Sequence, residues 1–335
     1  PCTGANYCLD RIYQGHAASF LHDLSTGREE TMPHDIPKAK EKKKIVVVGA
    51  GPAGLEAARV GAERGHDVIV LEAAAKAGGQ ILLTAQSPMR KEMMAIADWR
   101  LSQCEARGVT FRYNTWAEAD TVTALNPDVV IIATGGRPHT GSLKIGADLV
   151  VTSWDILSGD VKPGSNVLMY DEAGDHSALQ SAEIIAETGA KLEIMTRDRS
   201  FAPEVMAMSL TPHMRALQKH DVKFTVTYLL EKVRREGNQL VATIGSDYGG
   251  ISKEQTHDQI VVNYGTLAND ELYFALKPLS SNLGAVDHQK LIAGQQQDLV
   301  KNKDGKFQLF RIGDAVASRN THAAIYDALR LVRYL

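Results

Sequence analysis

The chain has 335 residues, 44% hydrophobic and 23% charged, which fits a soluble globular protein of two domains with an arm. A net charge of −3 and a pI near 6.5 give no general reason to expect nucleic acid or an anionic membrane as partner. No apolar run approaches the roughly 18 residues of a membrane span, and three cysteines cannot build a disulfide framework, which suits the cytoplasm.

In chain order, residues 1–40 read as an extended arm. The chain opens at Pro1, inside a cysteine-containing motif and without a signal peptide, so a fragment or processed piece of a longer protein is expected. The run Lys38–Lys44 (KAKEKKK) reads as a solvated linker. Ile45–Val48 is a β-branched run that predicts a buried strand. Gly49, Gly51 and Gly54 follow at the spacing G-x-G-x-x-G, a helical pattern runs to about Arg64, and Asp67–Leu71 predicts a second strand ending in Glu72. The acid lies 18 residues (72 − 54) beyond the last glycine, which completes a β-α-β unit of the dinucleotide-binding kind. Gly49 permits the tight turn, Gly51 lets a diphosphate touch the backbone, and Gly54 lets helix and strand pack closely. The helix start offers free N–H groups to that diphosphate, and Glu72 is placed to accept hydrogen bonds from an adenosine ribose.

Ala74–Gln80 reads as a loop, Glu92–Arg107 as a helix, and Val109–Tyr113 and Asp128–Ala133 as strands, the last running into Thr134-Gly135-Gly136. A second β-α-β pattern follows: strand Val167–Tyr170, helix Ser177–Glu187, strand Leu192–Thr196. Met206–His220 is again helical. Lys223–Arg235 and Leu240–Ile244 predict an antiparallel group, Gln259–Tyr264 and Leu309–Ile312 further strands, and a final helix starts near Thr321 with Asn320 or Thr321 as its cap. The expected architecture is α/β: two Rossmann-like dinucleotide-binding domains, one inserted in the other. Residues 41–150 plus 297–335 would form the first and 151–296 the second.

The second turn, Asp171-Glu172-Ala173-Gly174-Asp175-His176, has one glycine and three carboxylates where a diphosphate would sit. Coulomb repulsion and the missing glycines argue against NAD(P)H there. Arg197 and Arg199 follow the next strand, where an NADP 2′-phosphate is often met; they read as ordinary surface arginines. His176 reads as a hydrogen-bond partner.

The tandem units, the pair Gly78-Gly79, the strand end Ala133-Thr134-Gly135 and the late Gly313-Asp314 resemble the pyridine-nucleotide-disulfide-reductase-like flavoproteins. The arm, Cys2-Thr-Gly-Ala-Asn-Tyr-Cys8-Leu-Asp-Arg-Ile-Tyr, is similar to the iron–sulfur segment of the trimethylamine dehydrogenase, histamine dehydrogenase and 2,4-dienoyl-CoA reductase family. Within it, the resemblance points to bacterial N-demethylases of methylated amino acids. It implies a carboxy-terminal half whose FMN-binding barrel, with the substrate pocket and catalytic residues, is absent from this chain. It also implies FAD, or alternatively ADP, held by Gly49, Gly51, Pro52, Ala53, Gly54, Glu72, Ala73, Gly79, Gln80, Ala133, Thr134, Gly135, Gly313, Asp314 and Thr321. Asp314 would meet the ribityl and diphosphate region.

The family's cluster segment carries four cysteines. Here Cys2 and Cys8 match two of them, while Ala5 and Phe20 stand at or near the other two places and offer no donor, so a 4Fe-4S cluster is not expected. Cys104, in a helical pattern, reads as a buried apolar residue. The expected partners are the FMN barrel and a protein electron acceptor such as an electron-transfer flavoprotein, with homo-oligomerisation. An NADPH-fed reductase of the dienoyl-CoA type and a non-redox module with bound ADP are the alternatives.

Overall fold

The computed structural model describes residues 2–335 and resolves the chain into two compact units. Unit 1 holds the chain up to Leu82, Glu92–Arg137 and Leu267–Leu335; unit 2 holds Leu83–Lys91 and Pro138–Thr266. Unit 1 begins with α1 (Tyr7–Tyr13), β1 (Lys44–Val48), α2 (Pro52–Glu63), β2 (Asp67–Leu71) and α3 (Ile81–Thr84), within which the chain passes to unit 2. It resumes with α4 (Ala95–Ala106), β3 (Thr110–Arg112), α5 (Ala119–Thr123), β4 (Val129–Ile132) and the junction strand β5 (Gly136–Pro138). Unit 2 carries β6 (Val151–Thr152), α6 (Ser153–Ser158), β7 (Asn166–Asp171), α7 (His176–Glu187), β8 (Lys191–Thr196) and α8 (Ala207–Gln218). After these come β9 (Lys223–Thr225), β10 (Leu229–Glu236), β11 (Gln239–Gly245), β12 (Ser252–His257) and β13 (Gln259–Asn263). The chain returns through β14 (Thr266–Ala268) to α9 (Glu271–Leu276), α10 (His288–Ile292), β15 (Gln308–Arg311) and α11 (Thr321–Val332).

The sheet of unit 1 is parallel, in the order β15-β4-β1-β2-β3. Strand alternation sends Ile45 and Val47 to one face, where they pack with Leu55, Ala58, Ile325 and Val332 of α2 and α11. Val46 and Val48 point to the other face, among Val130, Leu309, Tyr273 and Leu276. Both faces are therefore covered, and this is why β1 is a continuous apolar run. Each such buried side chain contributes about 1.5–3 kcal/mol. Between α2 and α4 lies a buried ionic group. Arg100, fully buried, donates to Glu56 at 2.8 Å, and Arg59 donates to the other Glu56 oxygen at 2.7 Å. Burial works to raise the Glu56 pKa, but the two guanidiniums outweigh it and hold the carboxyl below its ordinary range.

Unit 2 has its own parallel sheet, β6-β13-β7-β8-β9, and an antiparallel sheet β10-β11-β12. Its core combines Val167 and Met169 of β7 with Leu179, Ala182 and Ile185 of α7.

Several expectations are corrected. The junctions lie at 137/138 and 266/267 rather than at 150 and 296. Residues 138–150 belong to unit 2 because Leu143, Leu149 and Val150 pack against β10 and β11, and Val233 donates to the Ile145 carbonyl at 3.0 Å. Residues 267–296 belong to unit 1, where Tyr273 and Leu276 enter the core and Asn282 clasps Leu309 on β15 at 2.8 Å through both backbone groups. The arm is not simply extended: it forms α1, and Leu24 and Met32 anchor it in the unit 1 core. The segment 223–235 is divided, β9 joining the parallel sheet and β10 the antiparallel one. The polar strand β12, with only His257 buried, carries no apolar alternation that announces it.

Candidate dinucleotide site

The turn from β1 into α2 separates the three glycines by function. Gly49 has φ +103°, and a Cβ there would lie 2.4 Å from the Ala133 carbonyl oxygen. A Cβ on Gly54 would lie 1.9 Å from the Gly49 oxygen. These two positions serve the close packing of β1, α2 and the end of β4. Gly51 is different: the nearest atom to its Cβ would be the Gly79 Cα, 3.8 Å away. Gly79, at φ +52°, faces it across the gap, and Gly78 N–H donates to the Ala50 carbonyl at 2.9 Å to hold the two loops together. The result is a cradle walled by bare main chain. Helix α2 starts at Gly51 and Pro52 with no side-chain cap and no acid in its first turn. Its leading N–H groups and partial positive charge are left for an anion, and a diphosphate fits both features.

Glu72 pins the turn. One oxygen accepts from Ala50 N–H at 2.6 Å and the other from Ala74 N–H at 2.8 Å, while Ala73 is exposed beside it. Carboxylate oxygens have lone pairs to spare, so a ribose hydroxyl can share them. Gln80 donates to Asp314 at 3.1 Å, and Gly135, at φ +69°, lies against the same amide. Burial raises the Asp314 pKa. Gly313, at φ +61°, sits where a Cβ would be 3.0 Å from Ala53 and 3.4 Å from Ala324, so the starts of α2 and α11 converge on it. Asn320, not Thr321, caps α11, accepting from Ala323 N–H at 2.9 Å; Thr321 is the first helical residue. Ala133 donates to the Val48 carbonyl at 2.8 Å, and Thr134 spends its hydroxyl on the Asn269 carbonyl. Gly49, Gly51, Gly54, Glu72, Gly79 and Ala133 thus meet around one turn, Gln80, Gly135 and Asp314 are linked beside Gly313, and the Thr134 hydroxyl is engaged by Asn269.

Sequence reasoning missed Asn269, Arg319 and His322. Arg319 donates its backbone N–H to Asp314 at 3.3 Å. His322 is 7% exposed and stacks between Tyr7 (4.6 Å) and Tyr326 (6.1 Å). Burial lowers its pKa to about 4. None of the three belongs to a spaced motif, and the contacts of Asn269 with Thr134 and of His322 with Tyr7 come from distant segments.

The corresponding turn of unit 2 differs throughout. Asp175 caps α7 with its own carboxylate, and Asp171 is buried at the end of β7. Arg197 is paired with Asp247 at 2.6 Å, and Arg199 is exposed. His176 contacts Arg90 at 3.0 Å, and burial lowers its pKa to about 3. In the arm, Cys2 is exposed, Cys8 half-buried, Ala5 packed on the core and Phe20 43% exposed. Among the described residues there is no group of three or more His, Cys, Asp or Glu that could hold a metal ion. Cys104 is buried, and that burial pushes its thiol to about 12. Among the described residues no helix is long and apolar enough to cross a membrane.

Residues 43–327 match the family described as pyridine nucleotide-disulphide oxidoreductase. The chain is 68% identical to a probable N-methylproline demethylase of Rhizobium meliloti (strain 1021), covering 99% of this chain and 49% of that protein. It is 43% identical to an N,N-dimethylglycine/sarcosine dehydrogenase of Chromohalobacter salexigens, covering 99% and 50%. A solved 2-naphthoyl-CoA reductase complex superposes with a TM-score of 0.83 at 28% identity, over 100% of this chain and 46% of that one. The chain spans about half the length of the curated relatives it matches. The resemblance drawn from the motifs is borne out.

Proposed function

The chain belongs to the pyridine nucleotide-disulphide oxidoreductase family, and from that premise we propose that it is the FAD-binding module of a flavin-dependent amine dehydrogenase or N-demethylase. The observation that carries this reading is the bare Gly51–Gly79 cradle, set beside the convergence of two helix starts on Gly313. The diphosphate would lie against Gly51 and the first turn of α2, including Pro52, Ala53 and Gly54. The adenosine ribose would lie at Glu72 and Ala73. Gln80 and Asp314, already joined, would present a half-buried polar pair to the ribityl chain, with Gly135 and the start of α11 alongside. FAD, when bound, supplies an acceptor of two electrons that can release them singly.

The rest of the enzyme is part of the same proposal. An FMN-binding barrel in a preceding half would oxidise a methylated amine or amino acid, as the names of the relatives suggest. Electrons would leave to a protein acceptor such as an electron-transfer flavoprotein, in a homo-oligomer.

The test is the colour and content of the purified chain. Visible flavin absorbance, with FAD released on denaturation, is the expected result. A colourless protein releasing ADP would replace the redox role with a structural one, and a nucleotide-free protein that takes up neither would overturn the site.

A further inference from the structure

We infer that the nucleotide-type turn of unit 2 is filled by its own side chains and excludes pyridine nucleotides: Asp175 stands in for the diphosphate, and Pro203 occupies the space beside the turn's only glycine. This deepens the reading above by naming what closes the module to NAD(P)H, and it holds whichever nucleotide unit 1 carries.

A dinucleotide turn binds a diphosphate with the backbone N–H groups of its loop and of the helix start. Here several of those groups are already engaged, Glu172 N–H among them, which donates to the Asn263 backbone carbonyl at 2.9 Å. Asp175 accepts from Ser177 N–H at 2.9 Å, at the position where α2 has only Gly51 and no side-chain cap. Asp171, 2% exposed, accepts from Ala173 N–H at 3.2 Å and Gly174 N–H at 2.9 Å. The amide of Asn263, itself 4% exposed, bridges the two acids, donating to Asp171 at 2.9 Å and to Asp175 at 3.0 Å. The Asn263 carbonyl oxygen is taken in turn by Ser153 at 3.1 Å. The network joins the two acids, and an incoming phosphate would meet both of them where unit 1 presents bare main chain.

Shape excludes the ligand a second time. A Cβ on Gly174 would lie 2.5 Å from Pro203 Cδ and 2.7 Å from Cγ, so the proline ring is packed directly against the turn. The covering segment is fastened: Glu204 N–H donates to the Gly174 carbonyl at 3.1 Å, and Ala202 is 2% exposed in the unit 2 core. Charge and packing thus act together, and neither depends on Arg197, which Asp247 already engages.

The test titrates NADPH calorimetrically into the full chain with the unit 1 site saturated by ADP. No saturable heat at millimolar NADPH is expected. Saturable binding with slowed hydrogen exchange across residues 171–177 would overturn the inference. The double variant Asp175→Ser/Pro203→Gly keeps a capping residue while removing the charge and the ring. Folded as judged by its circular dichroism melt, it is expected to bind NADPH at least tenfold more tightly than the parent. A folded double variant with unchanged affinity would show that these residues are not what closes the turn. If the variant does not fold, the parent titration alone decides. The colour and nucleotide content of unit 1 are read separately, so failure of the FAD reading and failure of this one are distinct results.

Discussion

Gly51 and Gly54 belong to one motif, yet the structure gives them opposite sensitivities. Gly51→Leu fills open space in the cradle, so nucleotide content should fall at least tenfold while the thermal midpoint of the ligand-free chain stays near that of the parent. Gly54→Ala puts a methyl 1.9 Å from a backbone oxygen, so the ligand-free chain itself should lose about 1–3 kcal/mol in a denaturant melt. Spacing alone made both glycines visible, but only the neighbours of each Cα separate contact with ligand from contact with the fold. Asp171 allows a second residue-level test. Burial, then the neighbouring Asp175, raises its pKa from 3.8 to about 7. Within that window the folded chain keeps a proton that the unfolded chain has lost, so the Asp171 contribution favours folding below it and is lost as pH rises through it. Asp171→Asn should therefore gain stability relative to the parent as pH rises from 4 towards 7. Paired urea midpoints at the two ends check this, and a constant difference would remove Asp171 as the titrating group.

At the scale of elements, α2 and α4 are joined by charge as well as by apolar packing. Glu56→Gln leaves Arg100, fully buried, without its compensating charge, at an expected cost of about 3–5 kcal/mol. The pair Glu56→Leu/Arg100→Met should recover part of that in the same urea titration, because the two apolar side chains need no partner and Arg59 keeps Glu63. Both helices were legible from periodicity, and so was the first β-α-β unit, where apolar runs, glycines and the closing acid coincide. The ionic contact was not, since nothing in spacing joins residues 56 and 100. Helix α1 and strand β12 escaped for a related reason: α1 lies in an arm tied down by Leu24 and Met32 further along, and β12 is a polar strand at the edge of its sheet. The true junctions at 137/138 and 266/267 depend on packing by Leu143 and Tyr273, which composition does not reveal.

At the scale of the whole molecule, two nucleotide-type folds in one chain are expected to answer a ligand differently. ADP at about a hundred times its dissociation constant should stabilise unit 1 by about 2.7 kcal/mol. Hydrogen exchange should slow across residues 45–82 and 313–332 and stay unchanged across 166–177; protection of the second region instead would reverse the assignment of the two turns. The cysteines give the molecule one further property. With Cys104 sealed between helices and its thiol pushed to about 12, a maleimide dye has only Cys2 and Cys8 to attack. Any fluorophore or spin label added to the native chain will therefore report from the amino-terminal arm, with no engineering needed to put it there.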